Sequence, residues 1–492
     1  MVADTERRPI RTAAIANLGC KVNQSEMEGA ARRLRELGVA IVDGDRRADL
    51  VLVNTCTVTA EADAKSRNAV RRARRASPDA PIVVTGCSVQ VGREAFAAAD
   101  PEARLVDNRS KDALLAELDE LLSRRDAPSA DRGALVDRAL PTLSGVEVEG
   151  GQVAIDGIAD DRASVERTRA FVKVQDGCSF FCTYCIIPAA RGPERSLAPE
   201  VVLGDVRRAL AAGHREIVLT GINIGTYDGG WSERGFRGAH RRPALTLAGL
   251  VRRLLDETGV ERIRLSSIEP QHVDDELLRV WIDGAPRTLP HLHLPLQSGD
   301  DAVLRRMGRR YGAAEYAAVV ARAREAIPGV AIHGDAIVGF PTEDATAWER
   351  SLAFIRSVDF AGIHVFRYSA RPGTAATRMA GQVGEPTKKA RAAELLAVAA
   401  DARERWARSR VGRVADVLFE TRLDDGRWVG HAADHTPVAV AAPEEGPLEN
   451  AIGRVRIDGV DASRRDRVVG PILSLSRSLS PSPRRGAPVH AR

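Results

Sequence analysis

The sequence predicts an α/β protein built from three folded units. They are an N-terminal parallel α/β domain of flavodoxin-like type, a central partial (β/α)6 barrel and a small C-terminal β-barrel. Three observations carry this. Between residues 11 and 125, apolar runs (TAAIANLG, DLVLVNT, PIVVTG) alternate with helix-like segments, the rhythm of a parallel sheet. Between 166 and 405, six further strand-like runs alternate with helices, as in an open version of the parallel barrel. From 411 to 473 the pattern changes to short alternating strands. A chain of 492 residues has room for about three domains of ~150 residues, and 44% hydrophobic residues suffice for folded cores.

In the first unit the helix-like segments are 26–37 and 60–76, followed by a short strand at 104–106 and a closing helix at 112–123. Residues 126–165 are polar, rich in Gly, Asp and Ser, and read as a linker. The six central strand-like runs are FVKVQ, EIVLTG, RIRLSS, HLHLPL, AIHGDAIVGF and GIHVFRY. Helices are expected between them at 198–212, 245–258, 274–281, 313–326 and 345–357, and the stretch 229–242 reads as a loop insertion. A helix over 387–410, rich in Lys, Arg and Glu, leads out of the barrel. The last residues, 474–492, are rich in Ser, Pro and Arg and read as a disordered basic tail.

The net charge is +5, but Arg477, Arg484, Arg485 and Arg492 account for four of those charges, leaving the body at +1. Charge alone is thus thin support for a nucleic-acid partner. Of the 72 basic residues only six are lysines, a compositional habit more than a function. No run reaches the ~20 apolar residues of a membrane span. The expected location is the cytoplasm, where thiols stay reduced, with no membrane partner.

The six cysteines fall into two groups of three. Cys178, Cys182 and Cys185 lie within eight residues, in KVQDGCSFFCTYCIIP, after the first barrel strand. Three thiolates so spaced can hold three corners of a [4Fe–4S] cube and leave one iron open. Structural zinc asks for four ligands, and no fourth Cys or His lies close by. Cys20, Cys56 and Cys87 each follow a strand-like run of the first unit. In a parallel sheet they converge at the carboxyl edge, where such folds hold ligands. Singly, each would be an ordinary buried small residue; together they read as a second three-thiolate site.

CSFFCTYC resembles the CxxxCxxC signature of radical S-adenosylmethionine enzymes. The whole chain, from about residue 12 to 473, resembles the methylthiotransferases of that superfamily, with their N-terminal three-cysteine domain, radical barrel and C-terminal TRAM domain. The matching stretches are NLGCKVNQSE, VNTCTVTAEADAKSR, KVQDGCSFFCTYCIIPAARG, LSSIEP, LPLQSGDDAVLRRMGR, DAIVGFPTE and HVFRYSARPGTAATRM. Within the family they are most similar to the type acting on N6-threonylcarbamoyladenosine at tRNA position 37. The sister type acting on isopentenyladenosine usually has Gln-Met where this chain has Lys21-Val22, and the type acting on a ribosomal-protein aspartate has Pro-Lys-Asn. Departures are Ala189 and Arg367, where an aromatic residue and Pro are common, the divergent C-terminal segment and the 229–242 insertion.

The resemblance implies two [4Fe–4S] clusters, the first on Cys178, Cys182 and Cys185 and an auxiliary one on Cys20, Cys56 and Cys87. It implies two S-adenosylmethionine molecules per turnover, one cleaved to a 5′-deoxyadenosyl radical and one giving the methyl group. Strand-end residues Gly221, Ser267, Glu269, Gln297 and Gly339 match stretches lining the cofactor pocket, although each is also an ordinary βα-turn position. The implied partners are the tRNA anticodon stem-loop, an electron donor such as a flavodoxin or ferredoxin, and an unidentified sulfur donor. Arg71, Arg72, Arg74 and Arg75 form a basic run suited to phosphates, or a solvated helix face. The reading from another class is a noncatalytic RNA-binding protein with a structural metal.

Overall fold

The computed structural model describes residues 9–42, 46–108, 111–123, 168–230, 245–443 and 446–476. The expected linker at 126–165, most of the 229–242 insertion and all but the first residues of the expected tail lie outside them.

The first unit is a five-stranded parallel sheet of β1 (Thr12–Asn17), β2 (Ala40–Val42), β3 (Leu50–Thr55), β4 (Ile82–Gly86) and β5 (Arg104–Leu105), in the order β2-β1-β3-β4-β5. This is the flavodoxin-type doubly wound order. β3 and β4 are buried along their whole length, which is why they read as unbroken apolar runs. The helices are α1 (Lys21–Glu36), α2 (Ala60–Ala76), α3 (Cys87–Val91), α4 (Arg93–Ala99) and α5 (Lys111–Ser123). α1 begins five residues earlier than the sequence suggested. Cys20 is its N-cap and makes no side-chain capping bond, so the usual start signal is missing.

The barrel strands are β6 (Arg169–Lys173), β9 (Glu216–Thr220), β10 (Arg262–Leu265), β11 (His291–His293), β12 (Ala331–Val338) and β13 (Gly362–Arg367); β7 (Gln175–Asp176) and β8 (Arg195–Ser196) form a small side hairpin. The six pair in parallel as two sheets, β6-β9-β10 and β11-β12-β13, joined by the Ile263–Thr288 bridge. Their helices are α6 (Ile187–Arg191), α7 (Pro199–Ala211), α8 (Leu247–Glu257), α9 (Asp275–Asp283), α10 (Asp301–Met307), α11 (Ala313–Ala326) and α12 (Ala345–Val358), with α13 (Glu385–Arg410) leading out. The sequence reading passed over α6 and α10, although Asp300 caps α10 and Gly308 ends it in the left-handed region. No pairing between β6 and β13 is recorded among the described residues. The first unit covers that open side. α1 packs on β6, and Arg371, just past β13, donates to Thr57 Oγ1 at 2.7 Å and pairs with Asp63.

The third unit comprises β14 (Val414–Arg422), β15 (Trp428–Ala432), β16 (Pro437–Val440), β17 (Ile452–Arg456), β18 (Gly459–Val460), β19 (Val468–Val469) and β20 (Ile472–Ser476), in the order β18-β19-β16-β15-β14-β17-β20. Only residues 470 and 471 separate β19 from β20, yet these strands sit near opposite ends of that order. The sheet therefore curls back on itself, around a core that includes Val417, Phe419, Val438 and Val455. β20 runs to Ser476, so the first three residues expected to belong to the tail pair with β17 instead.

Candidate active site

The carboxyl ends of β1, β3 and β4 are adjacent in the sheet, so Cys20, Cys56 and Cys87 come to one edge. A buried side-chain lattice sets their spacing. Asn23 Nδ2 donates to Asn54 Oδ1 at 3.0 Å and to Thr55 O at 3.1 Å, and Asn54 Nδ2 returns a bond to Asn23 O at 3.0 Å. Ser66 Oγ accepts from Cys56 N at 3.1 Å. Gly86 has φ 104°, and a Cβ there would lie 2.4 Å from Thr55 O, so only glycine turns the chain from β4 into Cys87. All six cysteines are free thiols. Burial pushes Cys56 up to about 12, with the Cys20 and Cys87 charges adding to it, and burial also raises Cys87 against the pull of Arg191. The three sulfurs thus feel one another.

The second group occupies the loop between β7 and α6, at the corresponding end of the barrel. Gly177 (φ 72°) lets this loop touch the chain opposite, because a Cβ would meet Pro193 O at 1.9 Å. Burial raises Cys178 to about 11 and Cys185 to about 12, with Cys182 adding to both. Arg309 Nη1 donates to Cys182 Sγ at 3.5 Å, and the same guanidinium pairs with Glu269 and Tyr311.

Arg191 joins the two groups. It is the last residue of α6, six positions after Cys185, and is fully buried. Its Nε donates to Cys87 Sγ at 3.2 Å, while Nη1 holds Glu26 at 3.1 Å and Asp176 at 2.8 Å and Nη2 reaches Asn23. Lys173 adds a second cation to Glu26 at 3.3 Å, and Asn108 Nδ2 donates to Cys87 Sγ at 3.5 Å. One side chain therefore spans the distance from the segment after the second cysteine group to a member of the first.

The other residues singled out in the sequence lie on the same rim, just past β9 (Gly221), β10 (Ser267, Glu269), β11 (Gln297) and β12 (Gly339). Gly221 abuts Gln175, whose Oε1 accepts from the Ile222 and Asn223 amides at 3.0 and 2.8 Å. Glu269 is raised by burial despite the pull of Arg309. Gln297 has φ 72° and bridges to β12. Gly339 has a packing task of its own: a Cβ there would lie 2.3 Å from Lys388 Cγ on α13. Of the basic run on α2, Arg74 is committed to its own domain. It binds Asp100 at 3.0 Å and the carbonyls of Pro78 and Ala80, leaving Arg71, Arg72 and Arg75 exposed.

Below the rim the lumen is polar. His293 Nε2 meets Asp335 Oδ1 at 2.8 Å, and His364 stacks on His293 with ring centroids 5.3 Å apart. Lys21 is the first residue of α1. Burial, with Arg169 and Arg264, lowers it to about 8. Sequence reasoning assigned no role to Arg191, Arg309, Asp335 or His293, although all four lie within the quoted stretches. A separate cleft of about 470 Å³ between α1, α5, β6 and α7 contains none of the cysteines.

Residues 12–107 match the family described as Uncharacterized protein family UPF0004, and residues 172–355 match the Radical SAM superfamily. The threonylcarbamoyladenosine tRNA methylthiotransferase MtaB of Bacillus subtilis (strain 168) is 34% identical over 438 residues, 88% of this chain and 91% of that protein. The chain belongs to the radical S-adenosylmethionine methylthiotransferase family. Such enzymes use two [4Fe–4S] clusters and two S-adenosylmethionine molecules per turnover. The MtaB protein of Thermotoga maritima is 33% identical to the methylthiotransferase, over 94% of this chain and 99% of that one. A tRNA-2-methylthio-N(6)-dimethylallyladenosine synthase from Maricaulis maris is 34% identical, over 95% of this chain and 98% of that one. Among solved structures, the radical S-adenosylmethionine methyltransferase TsrM of Kitasatospora setae shares the fold, with TM-score 0.50 and 16% identity over 75% of this chain and 77% of that one. No helix of the described residues is long and apolar enough to cross a membrane.

Proposed function

We propose that this enzyme inserts sulfur and a methyl group at C2 of N6-threonylcarbamoyladenosine-37 in tRNA, beside the anticodon. The observation that carries the reading is the meeting of two three-cysteine sites at one barrel mouth, tied by Arg191. The MtaB relatives, matched over most of their length, support the choice of nucleoside.

In this reading Cys178, Cys182 and Cys185 hold one cluster and Cys20, Cys56 and Cys87 the auxiliary one. The donor set fits. Each site offers three soft thiols and the chain has no seventh cysteine. The N–H donors of Arg191 and Asn108 at Cys87 Sγ favour thiolate over thiol. When bound, these groups supply the electron that cleaves S-adenosylmethionine and the sulfur that is delivered.

The chain's own residues position the reactants. Adenine C2–H is not acidic enough for any side-chain base, so the enzyme's share is to hold that carbon in contact between the two sites. The turns that hold Gly221 and Gly339 line the cofactor site, and Ser267, Glu269 and Gln297 offer hydroxyl, carboxylate and amide to its polar groups. The units take the boundaries 11–125, 166–405 and 411–476, the last extended from 473 by β20. Arg71, Arg72 and Arg75 on α2, with the TRAM-like third unit, meet the tRNA backbone. A flavodoxin or ferredoxin supplies electrons, and the setting is cytoplasmic.

The test is anaerobic reconstitution with iron and sulfide counts, followed by nucleoside analysis of tRNA carrying N6-threonylcarbamoyladenosine. About eight irons per chain, falling to about four in a Cys20/Cys56/Cys87→Ala triple variant, are expected for two cube sites. No loss of iron in the variant would remove the auxiliary assignment. The Maricaulis maris relative favours isopentenyladenosine as a second reading. Product from isopentenyladenosine tRNA and none from threonylcarbamoyladenosine tRNA would put that reading in place of the first.

A further inference from the structure

Four arginines, Arg305, Arg306, Arg309 and Arg310, stand within six consecutive positions at and just past the end of α10. This end is fastened to the loop of the second cysteine group. Thr183 donates from Oγ1 to Arg306 O at 2.8 Å and from its backbone N–H to Met307 O at 2.9 Å. A Cβ on Gly308, which ends the helix in the left-handed region, would lie 3.7 Å from Cys182 Cα. Arg309 turns inward to Cys182 and Glu269, whereas Arg305, Arg306 and Arg310 are exposed. The neighbouring acids are engaged: Asp300 by Arg350 at 2.7 Å, Asp301 by the Ala313 amide at 2.7 Å, and Glu269 by Arg309. No ion pair of Arg305, Arg306 or Arg310 is recorded among the described residues.

The loop itself carries two adjacent phenylalanines with opposite fates. Phe180 lies under Arg310, whose guanidinium carbon is 4.0 Å from the ring centre, and beside His272 at 5.8 Å between centroids. Phe181 takes φ 51° and keeps 45% of its surface exposed. A bulky residue in the left-handed region costs on the order of 1–3 kcal/mol, and an exposed ring forgoes the gain of burial. Both costs fall one residue before Cys182, at the lip of the barrel. The basic groups assigned to RNA above do not reach this place. Arg71, the first of the α2 run, lies twelve residues past Thr59, about 18 Å along the helix from the cysteine edge. The third unit packs on the opposite end of the barrel, through Arg262, Arg264 and Asn450.

We propose that the end of α10 and the cysteine loop form a grip for single-stranded RNA; this rests on the tRNA reading above. Arg305 and Arg306 hold phosphates of the anticodon loop beside the target nucleotide, and Phe181 stacks on an adjacent base. Adenosine-37 must leave the stack of its loop to bring C2 between the two cysteine sites, and its neighbour then loses a stacking partner. An exposed ring at the lip replaces that partner, while the guanidiniums beside it neutralise the strand. A basic row flanked by an aromatic ring suits RNA over an acidic protein surface, which offers charge but no base to stack on.

The test uses the reconstituted enzyme and an anticodon stem-loop carrying N6-threonylcarbamoyladenosine. Affinities are measured across a salt series for wild type, for Arg305→Gln/Arg306→Gln, and for a control pair, Arg252→Gln/Arg356→Gln, exposed on α8 and α12. The lip pair should lose on the order of tenfold in affinity, with a salt slope shallower by about 1.4, at ~0.7 per phosphate of a single strand. The control pair should stay near wild type. Phe181→Leu should weaken binding by on the order of tenfold with the slope unchanged. Wild type should lose the same factor on a stem-loop lacking the base on one side of the target, a comparison that stands even if Phe181→Leu fails to hold iron. Iron per chain and 5′-deoxyadenosine release without RNA should be unchanged in the lip pair. A lip pair that binds like wild type, or no worse than the control pair, would overturn the grip. Loss of iron in the lip pair would assign Arg305 and Arg306 to support of the cysteine loop instead, and abasic stem-loops bound as tightly as the intact one would overturn the stacking. Failure of the underlying reading shows separately, as wild type that does not bind the stem-loop at all.

Discussion

Arg191 shows what a single residue contributes here. Its guanidinium is fully buried, and the charges it satisfies, Glu26 and Asp176, keep only 5% of their side-chain surface. Replacing it by Met leaves Glu26 to Lys173 and Asp176 to Lys173 and the more distant Arg195, at a cost of about 3 kcal/mol, the low end for breaking a buried pair. Arg191→Met should therefore lower the denaturation midpoint of the cluster-free chain markedly. Arg191→Lys, which keeps the charge but not the planar fork, should fall between the two. Equal midpoints for wild type and Arg191→Met would mean that the network contributes nothing to stability. A second expectation concerns iron. Without the N–H donor at Cys87 Sγ, the auxiliary site should hold iron less completely than the Cys178 site, as seen by comparing iron per chain in Arg191→Met with wild type. The six cysteines were legible in the sequence because each follows a strand or sits in a tight spacing. Arg191 and Arg309 were not, because their sulfur partners lie 104 and 127 positions away, and no local pattern reports a contact of that range.

At the scale of elements, the turns that deliver the cysteines matter more than the helices between them. β3 and β4 could be read from composition, since a strand buried on both faces leaves an apolar run. α1 was read five residues short because its first turn, KVNQ, faces the site and lacks an apolar period. The glycine at the end of β4 offers a sharp test. Gly86→Ala must overcome both φ 104° and backbone atoms of Thr55 at 2.4 and 2.5 Å, which cannot move aside as a flexible side chain would. Gly213 has a similar φ of 95° but nothing within 4 Å of its would-be Cβ. Gly213→Ala should thus cost only the left-handed strain, about 1–2 kcal/mol. Gly86→Ala should cost clearly more and displace Cys87. Equal losses in a urea titration would show that β3 and β4 separate freely and that the turn does not fix the cysteine.

For the whole molecule, the third unit closes the barrel end opposite the cysteines. Arg262 reaches the carbonyls of Asp416 and His431 at 3.2 and 3.4 Å, Arg264 that of Ala433 at 3.2 Å, and Asn450 that of Gly213 at 2.7 Å. Two carboxylates anchor this junction. Burial works against the charge of Glu216, but Arg264, Arg262 and Arg169 outweigh it and hold the carboxyl well below its ordinary range. Glu420 is likewise opposed by burial and held down at about 2 by Arg169 and His431. Both groups bind fewer protons in the folded chain than in the unfolded one, so their contribution is complete above the ordinary Glu value of 4.5; that of Glu420 is lost as pH falls toward about 2, and that of Glu216, held lower still, persists to more acid pH. Glu420→Gln removes one such carboxylate and strands Arg169, which should cost about 3 kcal/mol at pH 7. The difference in stability between wild type and Glu420→Gln should then shrink steadily between pH 4.5 and 2, because protonation makes the wild-type side chain equally neutral. Trp406, whose indole N–H donates to Thr436 Oγ1 at 2.9 Å across the α13 boundary, gives the fluorescence signal for these urea titrations. A constant difference across that range would mean that Glu420 is not held down by Arg169.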